Sequence, residues 1–272
     1  MSEIDWDSPE SAARYDRNCD HQYRKGRMLI EMMNIKKGES VLDVGCGTGR
    51  QAVNVSEIIG PSGQLTGVDP SSHRIALARE KFGRDSTSTV RFLVGQAEDL
   101  RVIPDNSINH AYFCSSFHWI DDKDTALHEI YRVLRPCGRV GMTTPDSDSP
   151  NMMRAVVDPI LAKYHVTQSH ERHRGIERVT ARELHDLLSG AGFTCISIEP
   201  RIILRKYGSP EEFLRHVVER AEPEGILKDI PDDTREKIGR EITEEFRKRQ
   251  MASVGSGNVT LFAVATKPDE GK

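Results

Sequence analysis

The apolar positions fall into blocks whose spacing changes along the chain. From Ser8 to Asn34 the residues Tyr15, Tyr23, Met28, Leu29 and Met32 recur at steps near three or four. That period predicts a helical region, closed by Lys37-Gly38. Ser40 to Val44 is a short apolar run that reads as a strand and enters Gly45-Cys46-Gly47-Thr48-Gly49 directly. Ala52, Val53, Val55, Ile58 and Ile59 then fit a helix, stopped by Gly60-Pro61-Ser62-Gly63. Strands follow at Leu65–Val68, Val90–Val94, Ile108–Cys114 and, after a turn at Arg135–Gly138, Arg139–Thr143. Helices are predicted between them at Ser71–Phe82 and Thr125–Leu134.

Strand and helix taking turns at this spacing predict βαβ crossovers and a parallel sheet covered on both faces. The second half is patterned differently. An amphipathic stretch, Met152–Tyr164, lies in a polar segment, and a helix at Ala181–Ser189 ends at Gly190-Ala191-Gly192. Phe193–Leu204 and Val259–Ala265 read as strands six and seven, separated by a charged helical region at Pro210–Gln250. The expected fold is α/β: a Rossmann-like, doubly wound, seven-stranded, mostly parallel sheet with helical lid insertions. The expected organisation is one domain over 1–272. Its parts are N-terminal cap helices at 1–36, a binding core at 37–145, a lid insertion at 146–180 and a helical insertion at 206–257 before the last strand.

Composition narrows the classes. A chain of 272 residues with 37% hydrophobic and 29% charged positions can bury a core and lies outside the disordered class. A net charge of −4 gives no global attraction to nucleic acid or anionic membrane, so neither is expected as a partner. No apolar run approaches the roughly 20 residues that span a bilayer. The acidic start, Met1 to Glu10, lacks the pattern of a signal peptide, so a cytoplasmic location is expected. Five scattered cysteines without a C-x-x-C pair read as reduced thiols, and no metal site is expected. Oligomeric state is not readable.

The chemistry concentrates at the first glycine cluster. A strand that enters glycines opening a helix lets a ligand approach bare backbone. The dinucleotide fingerprint needs a third glycine where Arg50 stands, and no Lys-Ser/Thr pair follows Gly49 to cradle a triphosphate. Asp43, two residues before Gly45, would repel a pyrophosphate and suits a cationic amino-acid group. Asp69, at the tip of the second strand, can accept ribose hydroxyls or cap the helix that follows.

With these residues in view, 11–145 resembles a class I S-adenosylmethionine-dependent methyltransferase. Val41-Leu42-Asp43-Val44-Gly45-Cys46-Gly47-Thr48-Gly49 matches that family's first motif, and Gly67-Val68-Asp69-Pro70-Ser71 its second. Gly95-Gln96-Ala97-Glu98-Asp99-Leu100 is similar to the third, with Gln96 where the family usually has Asp. Ser107–Trp119 is similar to the fourth, and Glu129–Gly138 to the stretch before strand five, with Cys137 replacing the usual Gly. The resemblance implies S-adenosyl-L-methionine as cofactor. It implies that Gly45, Cys46 and Gly47 pass under the methionine part and that Asp43 faces its ammonium. Asp69 would hold the ribose, and Pro70, Gln96 and Ala97 would edge the adenine. Cys114 and Ser115 would lie beside the sulfonium, and Tyr15 and Tyr23 would close the pocket or simply pack.

The implied reaction is methyl transfer to a small-molecule acceptor, a carboxylate oxygen or a carbon, nitrogen or sulfur nucleophile, by displacement that needs mainly alignment. A base is required only where the acceptor keeps its proton, and His118 is the candidate; Trp119 beside it would wall the substrate. The glycine-to-Asp69 segment resembles quinone C-methyltransferases, and the helical block before the last strand resembles methyltransferases of small carboxylic acids, the trans-aconitate type; the second is preferred, since the block covers more of the chain. His165, His170, His173, Arg172, Arg174 and Arg178 read as a solvated lid loop, the arginines also as a possible contact to an anionic substrate. A non-catalytic cofactor-binding protein and a nicotinamide-dependent oxidoreductase are the alternatives.

Overall fold

A computed structural model describes residues 7–83, 89–149, 152–166, 178–205, 207–214, 230–249 and 256–269. The N-terminal helical region is two helices, α1 (Pro9–Asn18) and α2 (Asp20–Met33). Ser8 caps α1 by accepting from the Ser11 N–H. The break at Cys19 has no glycine or proline to announce it, so the apolar spacing alone reads as continuous. β1 (Ser40–Val44), α3 (Arg50–Ile59), β2 (Gln64–Asp69), α4 (Ser72–Phe82) and β3 (Val90–Val94) follow. Next come β4 (Ile108–Cys114), a 3₁₀ turn (Phe117–Trp119), α5 (Lys123–Val133) and β5 (Leu134–Pro145). The second half supplies α6 (Met152–Lys163), α7 (Ala181–Gly190), β6 (Thr194–Arg205), α8 (Asp232–Lys248) and β7 (Ser256–Thr266).

The strands form one seven-stranded sheet in the order β3-β2-β1-β4-β5-β7-β6. β1 pairs in parallel with β2 and β4, and so do β2 with β3 and β4 with β5. β7 is antiparallel to β5, with Gly141 opposite Val264. β5 begins earlier than the glycine and proline pattern predicts. Leu134 pairs with Ile108, the register then shifts, and Cys137 takes a left-handed φ of 61° before pairing resumes at Arg139. The turn predicted at Arg135–Gly138 is therefore an irregularity inside the strand. None of the described helices is long and apolar enough to cross a membrane.

The chain divides into two compact units. The larger holds the described residues within Asp5–Asp146, Gly175–Arg201 and Thr260–Lys272. Its core joins β1, β4, β5 and β7 to α5 and α7 through Leu42, Phe113, Leu127, Met142, Leu188 and Ala263. α2 lies against β5, where a Cβ on Gly141 would meet the Met33 sulfur at 2.6 Å. The smaller unit holds the described residues within Ser147–Arg174 and Ile202–Val259. It has its own apolar cluster, in which Tyr207, Phe213 and Phe246 pack with Val157 of α6 and Ile238 and Ile242 of α8.

Candidate functional site

The turn between β1 and α3 is built on left-handed backbone. Gly45, Gly47 and Gly49 have φ of 71°, 54° and 75°, which L side chains rarely adopt. The Gly45 and Cys46 N–H groups both donate to the Val68 carbonyl, at 2.7 and 3.0 Å, and fold the turn against the end of β2. A Cβ on Gly45 would fall 2.3 Å from the Ser116 Cβ, and one on Gly47 would fall 3.2 Å from the Tyr15 ring. Ser116 is fixed by donating to the Val44 carbonyl at 2.6 Å. The loop is thus a bare backbone cradle held between β2, the turn after β4 and α1.

Two carboxylates stand at this cradle. Asp69 is buried and accepts the Gly47 N–H on one oxygen (2.8 Å) and the Ser71 N–H on the other (3.0 Å). Burial raises its pKa, against the pull of those N–H donors and of Arg74. Asp43 is 1% exposed, and its Oδ2 has no hydrogen-bond partner. Burial pushes its pKa up to about 7; the nearby Tyr112 hydroxyl lowers it without reaching hydrogen-bond geometry, and the Asp69 charge raises it. A buried carboxylate with an unused oxygen is costly unless a donor meets it. Asp43 and Asp69 together favour a ligand that brings a cation and hydroxyl donors.

α1 closes one side. Arg74 of α4 stacks 4.7 Å from the centroid of the half-buried Tyr15 ring. Asp16 accepts from the Thr48 hydroxyl and from Lys81, and Lys81 also donates to the Thr48 carbonyl at 2.8 Å. Arg50 pairs with Asp20 at 2.6 Å and lies 5.1 Å from the centre of the Tyr23 ring. Tyr15 therefore meets the glycine loop, whereas Tyr23 meets the first residue of α3. Sequence reasoning missed Asp16, Arg74, Ser116 and Tyr112. Only Asp16 carries a local signal, since it lies one residue from Tyr15; the others are joined to the site by long-range packing.

The other expected residues divide by exposure. Gly95 N–H donates to the Asp69 carbonyl at 3.1 Å, which sets the Gln96–Ala97 turn beside the end of β2. Ala97 is buried, while Gln96 and Pro70 are exposed. The Cys46 side chain points at β2, where a Cβ on Gly67 would lie 2.9 Å from its sulfur, so its backbone rather than its thiol belongs to the loop. Ser115 has a left-handed φ of 59°, and its N–H donates to the Thr143 hydroxyl at 2.9 Å. Burial, and then the charge of Asp43, raise the Cys114 thiol pKa, which places Cys114 within electrostatic reach of that carboxylate. His118 is buried with its ring 5.4 Å from that of Trp119, and Trp119 is 48% exposed. Phe117, fully buried against Phe113, anchors this turn. His165 is exposed; His170, Arg172, His173 and Arg174 lie outside the described residues.

Residues 41–138, from β1 into the start of β5, match a family described as a methyltransferase domain. The chain is 29% identical over 190 residues to a demethylmenaquinone methyltransferase of Listeria welshimeri, covering 64% of this chain and 78% of the relative. It spans about half the length of counterparts from Listeria monocytogenes, 53% at 34% identity. It is 34% identical over 163 residues to the O-methyltransferase rstn1 of Aspergillus nomiae, covering 59% of this chain and 67% of the relative. The chain belongs to the S-adenosylmethionine-dependent methyltransferases. The fold agrees with a Haemonchus contortus phosphoethanolamine N-methyltransferase solved with phosphomonomethylethanolamine and S-adenosylhomocysteine. That likeness has a TM-score of 0.62 at 19% identity, over 98% of this chain and 60% of the other. The cofactor of this methyltransferase is S-adenosyl-L-methionine, and the nicotinamide alternative falls with that assignment. The unpartnered Asp43 oxygen and the left-handed glycine cradle fit a cofactor that carries an ammonium group.

Proposed function

We propose that the protein methylates a small-molecule acceptor of quinol or phenolic type. The observation that carries the methyl-transfer part of the proposal is the buried, unpartnered Asp43 oxygen at the bare Gly45–Gly47 cradle, one strand away from Asp69. The likeness to a demethylmenaquinone methyltransferase supports a quinol acceptor, and the likeness to a fungal O-methyltransferase supports an oxygen as the accepting atom. When bound, the cofactor supplies an electrophilic methyl group on a sulfonium.

The chain's own residues bind and orient. Asp43 takes the ammonium. Asp69 takes the ribose hydroxyls on the lone pairs that its two N–H bonds leave over. Gly45, Cys46 and Gly47 pass beneath the methionine part, and Pro70, Gln96 and Ala97 edge the adenine. Tyr15 and Tyr23 close the side formed by α1 and α2, and Cys114 and Ser115 border the sulfonium. His118 takes the proton of an acceptor that is neutral at physiological pH, and Trp119 offers an aromatic wall. The displacement itself asks for alignment and exclusion of water.

The test is a thermal shift with S-adenosylhomocysteine beside NAD and NADP, followed by an acceptor screen of quinols, phenols and small acids. At a hundredfold excess over Kd, S-adenosylhomocysteine adds about 2.7 kcal/mol to the folded state, a rise of roughly 5 °C. A rise with NAD alone would refute the reading of the glycine loop. Turnover confined to small acids would move the acceptor class.

A further inference from the structure

α2 buries a stripe made of Lys25, Gly26, Leu29, Ile30 and Met33. Lys25 is the charged member, 8% exposed, although lysine is among the side chains least often buried. Two other buried lysines hold the fold elsewhere. Lys267 donates to the Tyr131 and Leu134 carbonyls, and Lys123 to the Ile120 carbonyl. Lys25 differs in its place, and the packing of α2 fixes that place.

The Arg139 guanidinium donates to the Met33 carbonyl at 2.9 Å. A Cβ on Gly141 would lie 2.6 Å from the Met33 sulfur and 3.2 Å from Leu29 Cδ1. α2 therefore runs back along β5, with its start toward the carboxyl end of the strand. Lys25 is one helical turn before Leu29 on the same side, a rise of about 6 Å. Thr143 is two residues beyond Gly141 on the same face of β5, about 7 Å further along. Lys25 is thus carried to the carboxyl end of β5, at the fully buried Thr143, which pairs with Cys114 of β4. Gly26 beside it faces β4 and α3, since a Cβ there would lie 3.0 Å from Cys114 Sγ and 2.6 Å from Gln51 Oε1. Lys25 lies on the β5 side of that contact, whereas β1, with Asp43, is on the other side of β4.

The charges agree with this placement. Lys25 reaches the Cys114 thiol and lowers its pKa, against the larger effects of burial and of Asp43. The pKa of Asp43 is set by burial, Tyr112 and Asp69. The carboxyl ends of the strands are where an α/β sheet binds its ligands. In the reading above, Asp43 takes the cofactor's ammonium, and Cys114 and Ser115 border the sulfonium. The charge of Lys25 then acts on the other reactant. A sulfonium and an ammonium around one space disfavour a third cation there and favour an anion. The Ser115 hydroxyl, 3.4 Å from that of Thr143, adds a neutral donor at the same strand ends.

We propose that Lys25 is a substrate-binding residue, an anion site for the methyl acceptor whose ammonium holds a phenolate oxygen beside Cys114 and Thr143. The proposal rests on the quinol or phenolic reading of this site and deepens it to one residue. Lys25 holds the oxyanion that remains once His118 has taken the proton, and it selects against amine acceptors, which arrive neutral or cationic.

The test is calorimetric titration of the full chain, saturated with S-adenosylhomocysteine, with 2,4-dinitrophenolate and with 2,4-dinitroanisole. The first is an anion at neutral pH and the second is its uncharged methyl ether. The wild type should bind the anion about tenfold more tightly than the ether. Lys25→Met, close to lysine in volume, should abolish that preference by weakening the anion about tenfold, with the ether held within about twofold. Lys25→Gln should repeat the loss, and Lys25→Arg should restore the preference. Affinity for S-adenosylhomocysteine should stay within about twofold in all three variants, which also reports an intact fold. A wild type without the preference, a preference that survives in Lys25→Met, or equal losses for both probes would overturn the anion site. A tenfold loss of S-adenosylhomocysteine in Lys25→Met would place Lys25 at the cofactor and overturn it as well. Turnover of amines alone in the acceptor screen, with the anion preference present and lost in Lys25→Met, would overturn the phenolic acceptor and leave the Lys25 site standing.

Discussion

Asp43 shows at the scale of one residue how a site is prepared for a cation. Its pKa of about 7 lies far above that of an exposed aspartate because burial disfavours the charge. Between about pH 4 and pH 7 the folded protein holds a proton that the unfolded chain has released, so stability falls as pH rises through that window. Below it both states are protonated and the penalty vanishes; above it the full penalty remains. Asp43→Asn should therefore raise the ligand-free melting temperature near pH 8, by a free energy on the order of 3 kcal/mol, and have little effect near pH 4. The same variant should bind S-adenosylhomocysteine more weakly. An equal change in melting temperature at both pH values would show that charge is not the cause. The position of Asp43 was legible from its place two residues before Gly45. The absence of a partner for its Oδ2 was not, because that depends on what β4 brings alongside.

At the scale of the element, α1 is tied to the loop by polar contacts rather than by a deep apolar face. Its buried residues are only Ser11 and Ala12, while Asp16 joins it to Thr48 and Lys81. Burial raises the Asp16 pKa, and the hydrogen bonds from Lys81 and Thr48 outweigh that and lower it. Asp16→Ala should cost roughly 1–2 kcal/mol, since these bonds are charge-assisted but partly exposed. Hydrogen exchange should speed up across Pro9–Asn18 while β1 and β4 keep their protection. Unchanged exchange in α1 would mean that the Tyr15 ring and its Arg74 partner hold the helix unaided. The helical character of this region was legible from its period. Its division at Cys19 was not, because the break is set by packing on α3 and α4 and leaves no glycine or proline in the sequence.

At the scale of the molecule, each of the two units carries its own apolar cluster. Phe213 is fully buried in the smaller one, 4.8 Å from the Phe246 ring. Phe213→Ala should cost about 3–5 kcal/mol and be felt in that unit first. Amide exchange in α6 and α8 should accelerate while β1, β4 and β5 stay protected. A uniform loss across the sheet would show that the two clusters unfold as one. The sequence by itself determined the alternation of strands and helices, the glycine loop with its two aspartates and the family, because period, left-handed glycines and strand-end carboxylates are local properties. The tertiary structure decided the division of α1 from α2, the early start of β5 and the meeting of Gly26, Gln51 and Cys114. Each of these depends on which distant side chains share a buried space, and no spacing along the chain records that.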